Sequence, residues 1–140
     1  MNIRKAKEDD IPTIMKWAKE ADELQTYAGD HLGKGFYEKI IKEGVSFVIE
    51  LEDKMAGFLV AELDADLDFS YLTQLFVLPD QQGQGLGKML IEAYLDKCKE
   101  SGVAKVYLFA QEKNEKAIEF YNKQGFKKGK PYIAMYKEFK

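Results

Sequence analysis

The stretch LFVLPDQQGQGLGKMLIEAYL, residues 75–95, decides the fold of this chain. A short apolar run leads through Pro79 to a loop in which Gly83, Gly85 and Gly87 stand within five residues, and an amphipathic helix follows. Glycine at a helix start costs backbone entropy and supplies no capping side chain, and the first N–H groups of a helix lack partners within it. Converging glycine N–H groups bind an anion, which compensates for both. The alternative is a tight strand-to-helix turn without a ligand.

Two common phosphate motifs do not fit this loop. A P-loop requires G-x-x-x-x-G-K-[ST], but Gln82 stands where its first glycine belongs and Met89 follows Lys88. A dinucleotide fingerprint requires G-x-G-x-x-G and an acidic residue after the next strand, and neither is present. We therefore expect a phosphate site of another kind, with Lys88 adding a positive charge in the first helical turn.

Composition sets the limits on function. The chain has 140 residues, which predicts one domain over residues 1–140. A net charge of -3 argues against nucleic acid as a partner. Cys98 is the single cysteine, so no intrachain disulfide forms, and we expect a cytoplasmic protein. No run of about 18 apolar residues is present, so we expect no membrane span.

The order of elements predicts an α/β domain with a mixed sheet. Apolar periodicity and glycine or proline boundaries give the order β-α-α-β-β-β-α-β-α-β-β. The last three strands are predicted over VAKVYLFA, FKKGK and YIAMYKEF. In the strand before the glycine loop, alternation places Tyr71, Thr73, Leu75 and Val77 on one face and Leu72, Gln74 and Phe76 on the other.

Two segments resemble motifs of the GNAT family of N-acetyltransferases. The loop beginning at Gln82 resembles the family's acetyl-CoA signature, [R/Q]-x-x-G-x-[G/A]. The segment NEKAIEFYNKQGF, which begins at Asn114, resembles its N-x-x-A-x-x-F-Y-x-x-x-G-F pattern. The resemblance covers the whole chain. It implies the GNAT fold, a mixed and mostly antiparallel sheet with about four helices and a V-shaped splay between the central strands.

The resemblance implies acetyl-CoA as co-substrate, with no metal. The pyrophosphate would lie on the N–H groups of Gln82, Gly83, Gln84, Gly85, Leu86, Gly87 and Lys88. The pantetheine arm would contact the backbone of Leu75, Phe76 and Val77, with the Val77 N–H facing the thioester oxygen. The second motif would add Asn114, Ala117, Phe120 and Tyr121 to the cofactor site.

Tyr121 is the catalytic residue that the resemblance implies. Its phenol would protonate the departing thiolate, and the alternative is a core aromatic beside Phe120. For Asn114 the alternative is an ordinary helix cap. Cys98 falls on the inner stripe of its helix and is interpreted as a structural thiol.

The general base is not assigned. Many family members carry a carboxylate on the strand before the loop, where this chain has Tyr71, Thr73 and Gln74. The nearest acids along the chain are Glu50, Glu62 and Asp68, and the lone His31 lies in a glycine-rich loop. The acidic turn over residues 64–68 lacks the glycine and the bidentate glutamate of a calcium loop.

The resemblance predicts direct transfer of an acetyl group from acetyl-CoA to a primary amine, with a small molecule as acceptor and the protein a monomer or homodimer. The wall of the acceptor site would come from residues 17–36, together with the acidic turn and the last hairpin. Aromatic and acidic side chains in residues 17–36 suit an organic cation, and they equally suit a plain helix with a solvated face. The alternatives are a protein N-terminal or lysine acetyltransferase and an acyl-CoA-binding module without turnover.

Overall fold

The computed structural model describes residues 1–64 and 66–140. Ala65, within the predicted acidic turn, lies outside the described residues. The described residues form five strands and four α-helices. In chain order they are β1 (Asn2–Lys5), α1 (Ile11–Glu20), α2 (Lys34–Glu43), β2 (Val45–Leu51), β3 (Lys54–Asp64), β4 (Phe69–Val77), α3 (Leu86–Glu100), β5 (Lys105–Tyr107) and α4 (Glu115–Lys123).

The strands form one sheet in the order β1-β2-β3-β4-β5. The pairs from β1 to β4 are antiparallel, while β4 and β5 are parallel and are joined through α3. The predicted mixed, mostly antiparallel sheet is therefore confirmed. Only residues 69–71 of β4 pair with β5, although β4 continues to Val77. The two strands thus part beyond Tyr71, and this gap is the predicted splay.

Apolar clusters cover both faces of the sheet. Alternate β3 residues point to opposite sides, so Phe58 packs with α1 and α2 whereas Leu59 packs with α3. The inner stripe of α3 includes the buried Leu90, Tyr94 and Cys98. None of the described helices is both long and apolar enough to cross a membrane.

A β-bulge changes which side chains of β4 share a face. The pairing with β3 steps from Val60–Gln74 to Ala61–Leu72, so Thr73 is an extra residue. Tyr71 consequently faces the α1–α2 side together with Gln74, away from the face of Leu75. The alternation predicted from sequence was wrong at Tyr71 and at Leu72, which packs with Leu75 and Val77 beside α3, because period-two counting does not include a bulge.

The two strands predicted after α4 are also absent from the structure. Residues 126–140, all of them described, contain neither helix nor strand, and Ile133 and Met135 are almost fully exposed. The preceding strand is three residues long instead of the predicted eight. Apolar alternation marks residues that suit a sheet, but a strand also needs a neighbouring strand for its hydrogen bonds, and β5 stays unpaired on its outer edge.

Candidate active site

The glycine loop has a backbone that requires glycine at two of its three positions. Gly83 and Gly85 have φ angles of 86° and 82°, in the left-handed region that disfavours side chains. Gly85 is the residue before α3 and no side chain caps that helix. Gly87 lies inside the helix, where an added Cβ would meet the Phe120 ring at 3.6 Å, an ordinary contact. The loop therefore needs its first two glycines for conformation.

The loop also leaves a run of backbone donors free. The first backbone bond into α3 is donated by Met89 to the Gly85 carbonyl, 3.1 Å away. Among the described residues, no backbone carbonyl accepts from the N–H groups of residues 83–88, whereas the Gln82 N–H, also predicted to bind the pyrophosphate, donates to the Pro79 carbonyl at 3.4 Å. These N–H groups lie at the positive end of a 15-residue helix. Such a concavity fits a phosphate or pyrophosphate group.

Side chains fix the loop and place a charge beside it. The Gln82 amide donates to the Val77 carbonyl at 3.1 Å and ties the loop to the end of β4. The Lys116 ammonium, from α4, lies 3.5 Å from the Gln82 amide oxygen. Lys88 instead pairs with Glu92 at 3.8 Å and is exposed. Lys116 was missed in the sequence because its proximity depends on how α4 packs.

The backbone of β4 is open towards the gap at two residues. The Leu78 N–H donates to the Ala56 carbonyl of β3 at 2.9 Å. Because successive residues of a strand direct their N–H and C=O groups to opposite sides, those of Leu75 and Val77 face away from β3 and into the gap. The N–H and C=O groups of Phe76 face β3, where Phe76 pairs with Phe58. The ring of Phe76 instead packs on Trp17 at a centroid distance of 5.7 Å.

The second motif lies alongside the glycine loop. The Asn114 side chain accepts from the Ala117 N–H at 3.1 Å, so the helix-cap interpretation of Asn114 is confirmed. The amide nitrogen of Asn114 has no partner among the described residues and stays available as a donor. One turn beyond Ala117, Phe120 reaches the position of Gly87. This contact brings α4 against the start of α3.

Tyr121 is half-buried among aromatic rings. It packs edge-on against Phe120 at 5.2 Å and Phe126 at 5.6 Å, within the apolar cluster that includes Leu75 and Val77. Burial raises the pKa of Tyr121 to about 12, so its phenol stays protonated at neutral pH. In the described part of the chain its hydroxyl has no hydrogen-bond partner. It is therefore a packed aromatic that keeps a free donor.

A pocket of about 640 Å³ lies where the pairing of β4 with β5 ends. Tyr71 and Tyr107 form the last pair between the two strands, and both line the pocket. The hydroxyls of Tyr27 and Tyr71 are hydrogen-bonded at 3.0 Å, and the Phe109 ring lies edge-on to both, each at 5.6 Å. Phe69 completes the aromatic lining. We call this space the aromatic pocket.

Two carboxylates of β3, Glu62 and Asp64, also line the aromatic pocket. Burial, the hydrogen bond with Tyr27 and the negative charge of Glu62 all raise the pKa of Tyr71. The other candidate acids lie elsewhere, because Glu50 pairs with Arg4 at 3.3 Å and Asp68 is an exposed turn residue. His31 is exposed and does not line the pocket.

The remaining polar residues of β4 and α3 are structural. Gln74 is buried, accepts from the Tyr37 hydroxyl at 2.8 Å and donates to the Leu24 carbonyl at 3.0 Å. Cys98 is buried, and burial raises the pKa of its thiol, which agrees with a structural role. Within the described ranges, no group of three metal-ligating side chains comes together.

Sequence reasoning missed most of the aromatic pocket. Phe69 lies in β4, Tyr107 ends β5 and Phe109 follows two residues later, so these rings meet only because β4 and β5 pair in parallel. The dense aromatic content of residues 69–71 and 107–109 was the available signal. This signal was missed because of the bulge at Thr73: simple alternation places Tyr71 on the face of Leu75, away from the pocket.

Known proteins share both the sequence pattern and the fold. A sequence model described as "Acetyltransferase (GNAT) family" matches residues 10–126. The [Ribosomal protein bS18]-alanine N-acetyltransferase of Escherichia coli K12 is 35% identical over 82 residues, covering 59% of this chain and 54% of that protein. The chain thus spans about half the length of such curated relatives. These matches confirm the resemblance drawn from the two motifs.

Solved structures confirm the expected fold. The crystal structure of the ribosomal-protein-S18-alanine N-acetyltransferase from Escherichia coli superposes with a TM-score of 0.72 at 26% identity, covering 92% of this chain and 79% of that one. An aminoglycoside N-acetyltransferase in complex with CoA gives a TM-score of 0.78 at 18% identity, covering 98% and 99% of the two chains. At that identity the second likeness concerns the fold alone.

Proposed function

Because the chain belongs to the acetyltransferase (GNAT) family, we propose that residues 1–140 act as one domain that transfers an acetyl group from acetyl-CoA to a small-molecule primary amine. One observation carries this proposal. The backbone of β4 opens into the gap at Leu75 and Val77, and the same gap leads to the unpartnered N–H groups of the glycine loop. A cytoplasmic location is part of the proposal and suits the lone buried thiol of Cys98.

Along the gap, different residues of this chain bind different parts of acetyl-CoA. The loop N–H groups of residues 83–88 hold the pyrophosphate, with Lys116 beside them. The N–H and C=O groups of Leu75 and the N–H of Val77 hold the pantetheine arm as an added strand would be held. The Asn114 amide adds a donor from the α4 side. Acetyl-CoA, when bound, supplies the acetyl group as an activated thioester.

An N–H group in the gap also stabilises negative charge on the acetyl oxygen. Leu75 and Val77 both direct an N–H into the gap, and either is placed for this role. Loss of one such donor costs other enzymes about 3 kcal/mol of the barrier. Because the donor belongs to the backbone, no side-chain substitution removes it directly.

Tyr121 acts as a hydrogen-bond donor to the departing sulfur. Its pKa of about 12 lies more than three units above the value of about 8.5 for a free thiol. The phenol therefore holds its proton more firmly than a free thiol does. The phenol stabilises the thiolate by a charge-assisted hydrogen bond, and the proton that finally neutralises the sulfur comes from the acetylated nitrogen.

Thiol release from acetyl-CoA tests the proposal. The purified protein is incubated with monoamines, polyamines, aminoglycosides, amino acids and short peptides, against a control without acceptor. Release that depends on an amine, together with the N-acetylated product by mass spectrometry, is the expected result. Tyr121→Phe should lower kcat about 10- to 100-fold, the loss expected when a hydrogen bond to a charged group is removed, while the affinity for CoA is kept. The matched control is Tyr132→Phe, because Tyr132 is 81% exposed.

A protein N-terminus is the second candidate acceptor, favoured by the relative that acts on the ribosomal protein bS18 alanine. Preferred turnover of an alanine-terminated peptide over every small amine would select it. A protein that binds CoA but gives no release with any acceptor would instead be a binding module, and the proposed function would be wrong.

A further inference from the structure

We propose that the aromatic pocket binds an extended aliphatic amine that carries a second positive charge, a linear diamine or polyamine. This inference rests on the proposed function, because it names the chemical class of the acceptor at that same site.

The lining of the pocket attracts cations. The rings of Tyr27, Tyr71 and Phe109 stand edge to face around it, and aromatic faces attract ammonium groups. Glu62 and Asp64 stand two residues apart on β3, so both side chains emerge on the same face of the sheet. No lysine, arginine or histidine lines the pocket in the part of the chain that the structure describes.

The part of β4 beneath the pocket offers no free ladder to a peptide. Residues 69–71 of β4 already pair with β3 on one side and with β5 on the other. A peptide acceptor usually gains affinity from main-chain hydrogen bonds, and the backbone of residues 69–71 is already paired on both sides. A volume of about 640 Å³ lies within the range of small-molecule sites. These features favour a small molecule recognised by charge and by ring faces.

The distance from the pocket to the gap favours a long acceptor. Tyr71 lies at the pocket, and Leu75, four residues further along β4, is the nearer of the two open N–H groups. At about 3.3 Å per residue this separation is at most about 13 Å, and the bulge at Thr73 shortens it. When Glu62 holds one ammonium group of the acceptor, the aliphatic chain of that amine must therefore span roughly 10 Å to bring the reacting nitrogen to the Leu75 N–H.

The transfer balances for such an acceptor. The terminal ammonium gives one proton to the solvent, the thioester C–S bond breaks and an amide C–N bond forms. The second proton lost by that nitrogen neutralises the sulfur and yields free CoA thiol. The distal ammonium, held in the pocket, stays charged throughout, so the product has one positive charge fewer than the substrate. The pocket carboxylates hold the substrate and take no proton in this scheme.

A length series of amines tests the inference. Diaminoalkanes from diaminopropane to diaminodecane are compared with monoalkylamines of the same length as acceptors. We expect kcat/KM for diamines to rise with length until the chain spans the distance, and to exceed the matched monoamine at least tenfold through KM. Equal values for diamines and monoamines would overturn the inference, as would a preferred aminoglycoside or alanine-terminated peptide.

Charge variants test the role of the carboxylates. Glu62→Gln combined with Asp64→Asn should raise KM for diamines at least tenfold and bring kcat/KM for each diamine close to that of the monoamine of the same length. Glu100→Gln, at the exposed end of α3, is the control with the same kind of charge change. A fall in kcat for both amine classes without a change in KM would contradict a binding role.

Calorimetry separates this inference from the proposed function. A long diamine is titrated into the protein saturated with CoA. Binding that the double variant abolishes supports the inference even if no transfer occurs, in which case the proposed function alone fails. Transfer to other amines without diamine binding overturns the inference and leaves the proposed function intact.

Discussion

Alanine substitutions at Gly85 and Gly87 should have opposite effects, although the two glycines are two residues apart in one motif. Gly85 has a φ of 82° and a ψ of 13°, a left-handed conformation that costs a residue with a side chain about 1–2 kcal/mol. Gly87 is helical, and its added Cβ would make only ordinary contacts with Phe120 and Val77. Alanine also favours helix over glycine by up to about 1 kcal/mol.

The same geometry predicts the effect on CoA binding. Gly85→Ala relieves its strain by rotating the adjoining peptide groups, which turns at least one loop N–H away from the phosphate. Loss of one hydrogen bond to a charged group costs about 1.5–3 kcal/mol, or roughly 10- to 100-fold in affinity. Gly87→Ala places its methyl group against Phe120 and should leave the affinity unchanged.

Urea unfolding and CoA titration by calorimetry measure these two quantities. We expect Gly85→Ala to lower the free energy of unfolding by about 1–2 kcal/mol and to weaken CoA binding. Gly87→Ala should be neutral or stabilising and bind CoA normally. Equal losses of affinity in both variants would refute the assignment of conformational roles. Normal affinity in Gly85→Ala would show that the left-handed turn does not shape the phosphate site.

A Cβ at Gly57 would lie 2.6 Å from the Phe76 carbonyl oxygen, so Gly57→Ala should displace β4 next to Val77. We expect this variant to be destabilised by about 1–3 kcal/mol and to bind CoA more weakly. Unchanged melting and CoA titration curves would contradict this prediction. Gln74→Leu leaves the buried Tyr37 hydroxyl and the Leu24 carbonyl without their hydrogen-bond partner. It should lower the free energy of unfolding in urea by about 2–4 kcal/mol. A neutral effect would show that those groups find other partners. Burial opposes the ionisation of Asp10, but hydrogen bonds from Arg4 at 2.8 and 2.9 Å and from the Lys7 N–H at 2.8 Å outweigh it and lower the pKa of Asp10. A lowered folded-state pKa contributes stability that is present above the unfolded value of about 3.9 and is lost as the pH falls through the folded value. Asp10→Asn should therefore be less stable than the unsubstituted protein at neutral pH, and its melting temperature should fall less between about pH 5 and pH 2. Melting temperatures of the two proteins that fall in parallel over this range would argue against the ion pair.

Local signals in the sequence were sufficient for the elements around the phosphate site. The glycines of residues 83–87, the inner stripe of α3 and the Asn114 cap each depend on contacts within a few residues. Their positions therefore follow from spacing alone. The family resemblance then supplied the mostly antiparallel sheet and the splay, which no local pattern contains.

Long-range packing explains what the sequence did not predict. The bulge at Thr73 arises from the register between β3 and β4, so Tyr71 was placed on the wrong face. The aromatic pocket joins residues 27, 71 and 109, which meet only in the folded chain. The requirement for glycine at position 57 depends on its approach to the Phe76 carbonyl. The C-terminal segment has the alternation of a strand but no strand beside it.

The direct test of the account is an NMR titration of the isotope-labelled protein with CoA. The largest amide shifts should fall on residues 83–88 and on Leu75 and Val77, whose N–H groups are open to the loop and the gap. Phe76 and Leu78, whose N–H groups face β3, should shift much less. Shifts elsewhere, with residues 83–88 unchanged, would contradict the phosphate site and with it the proposed transferase.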